Sequence, residues 1–350
     1  MPWLPWTRLN RRRIPLALAL QGGGAHGAFT WGVLDALLAR DAIDLRALSG
    51  ASAGAMNAVV LAHGLAAGGR DGARAALRDF WQTLGTRLPF EWFTVGRREA
   101  PGLAPAAQVA LRWSQLLSPY QFNPMGLDPL REIIEAQVDF ERLRRASPVK
   151  LFVAATHAAS GRLRLFREHE INADALLASA CLPSLHHSVL IDGEAYWDGG
   201  YTANPPLWPL LDAGAADDLM IVLLAPPAAT TGAPRSADEI RQRAQELAFT
   251  APLMRELQWL ADWRDGPPLS AWSASARERR LRRQRLHLVD GRPTLASLAG
   301  ETRLIAHLPF LEHLRSLGQA AAEGWWQQHG GHLGQRSSLD LAALLNGPAA

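Results

Sequence analysis

Leu48-Ser-Gly-Ala-Ser-Ala-Gly-Ala55 decides how this chain is read. Gly50, Ser52 and Gly54 spell G-x-S-x-G, with an apolar-leaning stretch leading in (residues 43–48) and a helix-like stretch leading out (residues 53–67). Strand, sharp turn and helix form the setting in which this pentad makes a nucleophile elbow. Glycine on both sides keeps Cβ atoms out of a tight bend. The bend lifts the serine Oγ clear of the backbone at a helix N-terminus, where the dipole favours developing negative charge. The pentad alone says little in a chain of 30 glycines, so its surroundings carry the assignment.

Upstream, Leu16-Ala-Leu-Ala-Leu20 reads as a first strand buried on both faces, running into Gln21-Gly-Gly-Gly-Ala-His-Gly27. A helix follows to about Arg40, with Val33, Leu34, Leu37 and Leu38 at helical spacing. The glycine loop fits two readings. Gly22, Gly24 and Gly27 make G-x-G-x-x-G, a dinucleotide fingerprint. Equally, the backbone N–H groups of Gly22, Gly23, Gly24 and Gly27 suit an oxyanion hole facing Ser52. The nucleotide reading needs an acidic residue closing the second strand, and Asp41 and Asp44 come too early for that.

Downstream, Lys150-Leu-Phe-Val-Ala-Ala-Thr156 is a further buried strand and Gly161-Arg-Leu-Arg-Leu-Phe166 an alternating neighbour. Asp192-Gly193 and Asp198-Gly199-Gly200 are turn signals. Residues 219–224 form a last core strand, and residues 226–234 a Pro/Ala/Thr/Gly linker. Beyond the linker the pattern is mostly helical, opened by a Ser236-x-x-Glu239 capping box. Between residues 78 and 124 the pattern breaks down into Pro, Gly, Trp and Phe, which suits an irregular insert. Its most apolar piece, residues 88–93, is expected to contact lipid.

The glycine loop after the first strand, G-x-S-x-G, and then Asp198-Gly-Gly, in this order and at these separations, resemble the patatin-like phospholipases. Secondary features agree across about residues 14 to 225. They include Leu127-Asp-Pro-Leu-Arg-Glu-Ile-Ile134, Ala178-Ser-Ala-Cys-Leu-Pro183 and Asp198-Gly-Gly-Tyr-Thr-Ala-Asn-Pro205. The resemblance implies a three-layer α/β/α hydrolase. It divides the chain into an N-terminal tail (1–13), a catalytic domain (14–225) with the 78–124 insert, and a mostly helical C-terminal extension (235–350). It also implies acyl transfer through a Ser52–Asp198 dyad on a phospholipid or lysophospholipid ester, with no cofactor or metal. An esterase or depolymerase acting on another acyl ester, such as a storage polyester, shares the same dyad. A lipid-binding scaffold with an unused dyad is the non-enzymatic alternative. One departure bears on substrate. The family usually has Arg or Lys where this chain has His26, and a neutral imidazole brings no fixed positive charge to the loop.

His157, His186, His187, His287, His307 and His313 are candidates for a Ser–His–Asp triad, but none sits in a comparable loop signature. Cys181 is the single cysteine, which excludes an intrachain disulfide and a cysteine-based metal site. Lys+Arg of 36 against Asp+Glu of 33 leaves a net charge of +3, and Lys150 is the only lysine. Arginine therefore reflects composition, and no basic–aromatic pattern points to nucleic acid. Arg11-Arg-Arg13 before residues 14–20 resembles a signal peptide, but cleavage there would delete the strand the glycine loop needs. No apolar run approaches the ~18 residues of a membrane span. A cytoplasmic protein with peripheral membrane contact is expected.

Overall fold

The computed structural model describes residues 13–87, 94–114, 117–224, 233–265 and 275–346. The tail (1–12), residues 88–93 with their expected lipid contact, and most of the 226–234 linker lie outside the described residues.

The first strand, β1 (Ile14–Leu20), shows why the architecture has three layers. Leu16, Leu18 and Leu20 enter one apolar cluster, while Ala17 and Ala19 enter another. A strand sends successive side chains to opposite faces, so a strand apolar at every position is covered on both. Parallel β2 (Ile43–Gly50) and β9 (Asp218–Leu223) flank it. Along β9, Met220 and Val222 share the leucine face, and Leu219, Ile221 and Leu223 the alanine face. The leucine face is covered by the helices Gly27–Leu38, Ala53–Arg87 and Leu308–His329. The alanine face is covered by Trp208–Ala213, Ala237–Asp265 and Ala276–Arg283. Each large apolar side chain buried this way contributes about 1.5–3 kcal/mol relative to exposure.

The sheet continues from β2 to β5 (Lys150–His157), which pairs antiparallel with β6 (Leu163–Arg167) and β8 (Glu194–Asp198); β8 pairs in turn with β7 (Val189–Ile191). Asp192 and Gly193, both at positive φ, close the β7–β8 hairpin, so Asp192 is a turn residue.

Two segments differ from the sequence reading. Arg78 to Arg87 is not irregular: it ends a second helix, set off from the one begun at Ala53 by a kink at Gly68–Gly69, where Gly69 has φ +62°, and packed against it so closely that a Cβ at Gly64 would strike Ala73 Cα. The described remainder of the insert is a hairpin, β3 (Thr94–Arg97) with β4 (Ala100–Leu103), followed by the helices Pro105–Ser114 and Pro119–Phe122. Secondly, the C-terminal segment is mostly helical but also adds a strand. β10 (Arg285–Asp290) pairs parallel to β9 along its whole length and extends the sheet. The Leu308–His329 helix crosses the Gly27–Leu38 helix closely enough that a Cβ at Gly32 would collide with Arg315 O, and one at Gly318 with Phe29 O.

Candidate active site

β1 and β2 run parallel, so the loops that leave them emerge at the same end of the sheet, where ligands of open α/β sheets bind. Ser52 follows β2 directly and sits at φ +53°, strained for a residue with a Cβ. Its N–H donates to Ser179 O and Ser179 Oγ, both at 3.0 Å, which pins the elbow from outside. The helix starts at Ala53, with Met56 N–H on Ser52 O at 3.0 Å, so the positive end of its dipole lies at the serine. Gly50 and Gly54 serve close approach: a Cβ on Gly50 would strike the Gly54 carbonyl, and one on Gly54 would strike Leu20 O.

The glycine loop lies against this elbow. A Cβ on Gly22 would come within 2.9 Å of Ser52 Cβ, and one on Gly27 within 2.7 Å of Ala53 Cβ. The N–H groups expected to point at an oxyanion divide into two pairs. Gly22 N–H donates to Asn204 Oδ1 at 2.7 Å, and Gly27 N–H to Gly24 O and Ala25 O. Both are committed to holding the loop, which corrects their assignment as oxyanion donors. Gly23 and Gly24 N–H have no acceptor among the described residues, and Gly24 takes the left-handed conformation at φ +58°.

Asp198 ends β8 and pairs across the sheet with Ala155 of β5. Gly199 and Gly200 are required by contact: a Cβ on either would collide, with Ala154 O in one case and with the Phe249 ring in the other. The carboxyl group is fully buried. Oδ1 accepts from Gly200 N–H at 2.7 Å, while Oδ2 has no partner at ordinary hydrogen-bond geometry among the described residues. Burial pushes its pKa up to about 7; the Gly200 N–H and, to a smaller degree, the neighbouring Ser52 hydroxyl pull it back. The structure therefore brings Ser52 and Asp198 together, with a carboxyl group that exchanges its proton near neutrality.

The histidines go elsewhere. His157 bonds Glu194 and Ser160, His187 stacks on Tyr120 at 4.2 Å, and His186 lines a separate cavity. His287 is buried between Asp218 (2.9 Å) and Ser338 (3.0 Å). This Ser–His–Asp chain lies at the start of β9 and is closed over by Trp325. Burial favours a protonated Asp218, but hydrogen bonds from His287, Arg285 and Gly334 N–H outweigh it and hold its pKa down to about 2. Its function is to tie β9, β10 and residues 334–338 together. Among the described residues no histidine bonds Ser52 or Asp198. No group of three His, Cys, Asp or Glu side chains that could hold a metal ion occurs there either.

Three contacts were not foreseen from sequence. Asn204 bridges the glycine loop and Phe249 O, Ser179 anchors the elbow, and Phe249 of the Ala237–Asp265 helix covers Gly200. Asn204 and Ser179 do lie within the segments that resemble the family. Phe249 carries no local signal.

A three-layer α/β/α sheet with a serine elbow at the carboxyl end of its strands defines a hydrolase fold. The family model for patatin-like phospholipase matches residues 18–211, more than half of the chain, and the chain belongs to that family. It is in that general sense a lipid acyl hydrolase. No curated protein matches the sequence. Among solved structures it is similar to VipD from Legionella pneumophila, at 17% identity over 88% of this chain and 67% of that one, with a TM-score of 0.35. It is also similar to a chain of the ExoU–SpcU complex from the type III secretion system of Pseudomonas aeruginosa, at 17% identity and a TM-score of 0.29. That match covers 90% of this chain but 52% of the other, about half its length. The family assignment rests on the sequence match.

Proposed function

We propose that Ser52 and Asp198 act as a catalytic dyad that hydrolyses lipid acyl esters of the phospholipid or lysophospholipid class. The observation that carries this reading is the buried Asp198 carboxyl beside the Ser52 elbow, with no histidine on either residue among those described. As Ser52 Oγ attacks the ester carbonyl, its proton passes to Asp198 Oδ2. The developing oxyanion is met by the Gly23 and Gly24 N–H groups and by the helix N-terminus at Ala53. Asp198 returns the proton to the leaving alcohol, and water, deprotonated by the same carboxylate, releases the acid from the acyl-enzyme. A carboxylate at the ordinary pKa of about 3.9 is a poor base, and burial supplies the correction.

A cavity too small for an acyl chain lies behind His186. It has a volume of about 70 Å³ and is lined by Leu127, Leu177, Ala180, Cys181 and Val189 among others. Its inner wall is the backbone that follows Ser179 and receives Asp198 N–H on Cys181 O at 2.8 Å. Its rim carries exposed apolar side chains: Met125 at 83%, Leu127 at 70%, and Leu190, next to Val189, at 67%. This rim is proposed to contact lipid; the same expectation for residues 88–93 falls outside the described residues. No helix among the described residues is long and apolar enough to cross a membrane.

The direct test is hydrolysis by the pure protein of a phospholipid, a lysophospholipid and a 3-hydroxyacid polyester of similar chain length. Turnover of the polyester alone would reassign the substrate, and turnover of none would favour the scaffold. Replacing Met125 and Leu127 together by Ser is expected to lower activity on vesicles severalfold more than on a soluble short-chain ester. Equal loss on both would assign the rim a structural role.

A further inference from the structure

Arg303 sits in the 3₁₀ turn Gly300–Leu304, far along the chain from the glycine loop but packed directly on it. A Cβ at Gly24 would strike Arg303 O, and would lie 3.6 Å from the Arg303 Cβ. One residue earlier, Thr302 Oγ1 bonds His26 Nε2 at 2.8 Å, which fixes the turn to the loop. On its other side lies the Ala237–Asp265 helix, whose Gln242 reaches Gly300 and whose Phe249 covers Gly200 beside Asp198. Arg303 is therefore held between the loop that faces Ser52 and the helix that roofs Asp198.

A guanidinium in such a place needs an anion. Arg303 is half-buried and has no hydrogen bond or ion pair among the described residues. Glu246 is the acid whose charge reaches it, but that carboxylate is engaged by Arg243 at 3.5 Å and Gln242 at 3.1 Å. His26, on the same side, brings no charge: burial and then the Arg303 cation push its pKa down to about 3. The positive charge at the loop thus comes from the C-terminal segment alone.

We infer that Arg303 is a specificity-determining residue that receives the phosphate of a phosphate-bearing acyl ester whose carbonyl lies at Ser52. The inference rests on the proposed dyad for the position of that carbonyl. Gly22 touches Ser52, and Gly24 is two residues further, at most about 7 Å along an extended chain. An arginine side chain that starts beside Gly24 is long enough to cover the few bonds that separate an acyl ester from its phosphate in a glycerophospholipid. The guanidinium fork matches phosphate oxygens in pairs, which a neutral glycerol head cannot exploit.

The test uses two short-chain ether lipids that cannot be hydrolysed, one with a phosphodiester head and one a plain alkylglycerol. Their binding to the full-length protein and to Arg303→Gln is measured by calorimetry. The preference of the wild-type protein for the phosphate-bearing lipid is expected to fall at least about tenfold in Arg303→Gln and to return in part in Arg303→Lys. For the wild-type protein, binding of the phosphate lipid alone should weaken as salt is raised. An unchanged preference ratio, or equal loss for both lipids, would overturn the inference. So would tight binding of inorganic phosphate lost in Arg303→Gln without a change in lipid preference, which would mark a free-phosphate site. If Arg303→Gln does not fold, the salt dependence of the two lipids on the wild-type protein decides. Because these lipids are never cleaved, a failed dyad would show as inactivity with the binding preference intact.

Discussion

Replacing Ser52 by Ala is expected to abolish ester hydrolysis and labelling by a fluorophosphonate probe, while the protein stays folded. Loss of the nucleophile in other serine hydrolases costs on the order of 10⁶ in rate, since the remaining groups only bind and polarise the ester. The fold should survive because the elbow is held by backbone contacts. Ser52 N–H stays on Ser179, and Gly50 and Gly54 keep their close approaches whatever the side chain at position 52. Alanine also retains the Cβ that makes φ +53° costly, so it does not relieve the strain. Glycine at position 52 would relieve it. Ser52→Gly should therefore be as inactive as Ser52→Ala yet melt at a higher temperature. Hydrolysis retained in both variants would remove Ser52 from the mechanism, and equal melting temperatures would show that the elbow stores little strain.

Asp198→Asn is expected to lower turnover by about 10²–10⁴, the usual contribution of a general base, because the amide keeps the shape but cannot accept the proton. Wild-type kcat/KM should rise with pH and level off above about 7, as the buried carboxyl ionises. Stability should move the other way. The folded-state pKa is raised from 3.8, so the folded protein binds a proton that the unfolded chain releases between about 3.8 and 7. This group's stabilisation is complete below 3.8 and is lost as pH rises through 7. Asp198→Asn, neutral at every pH, should therefore gain melting temperature relative to wild type between pH 5 and pH 8. Replacing His157, His186, His187, His287, His307 and His313 singly by Gln should leave most activity. One of them proving as essential as Asp198 would make the enzyme a triad hydrolase, and a flat pH profile would remove Asp198 as the base.

Much of this site is written locally. The apolar run of β1, the glycines after it and the pentad around Ser52 each lie within about ten residues, where strand alternation, helix period and turn chemistry act between neighbours. Asp198 with its two glycines is legible as a turn signal, although the contacts that forbid a Cβ there come from Ala154 and Phe249, distant in the chain. The helix after Ser52 was legible to residue 67, where Gly68–Gly69 ends it; the second helix beyond that kink, which runs to Arg87, was not.

What the sequence by itself determined is therefore the fold class and the chemistry-bearing loops. Tertiary structure alone decided which loop groups are available and where the charges fall. β10 follows an arginine-rich helix, and it becomes a strand because β9, 67 residues earlier in the pairing of Arg285 with Asp218, offers it a parallel edge. His287 looked like a candidate base until that pairing buried it on Asp218. Gly22 and Gly27 resembled oxyanion donors until Asn204 and the helix start used their N–H groups. The near-neutral pKa of Asp198 and the position of Arg303 beside Gly24 depend on burial by segments distant in the chain. Local pattern encodes backbone conformation and which face is apolar. Desolvation and long-range pairing arise only when those faces close on one another.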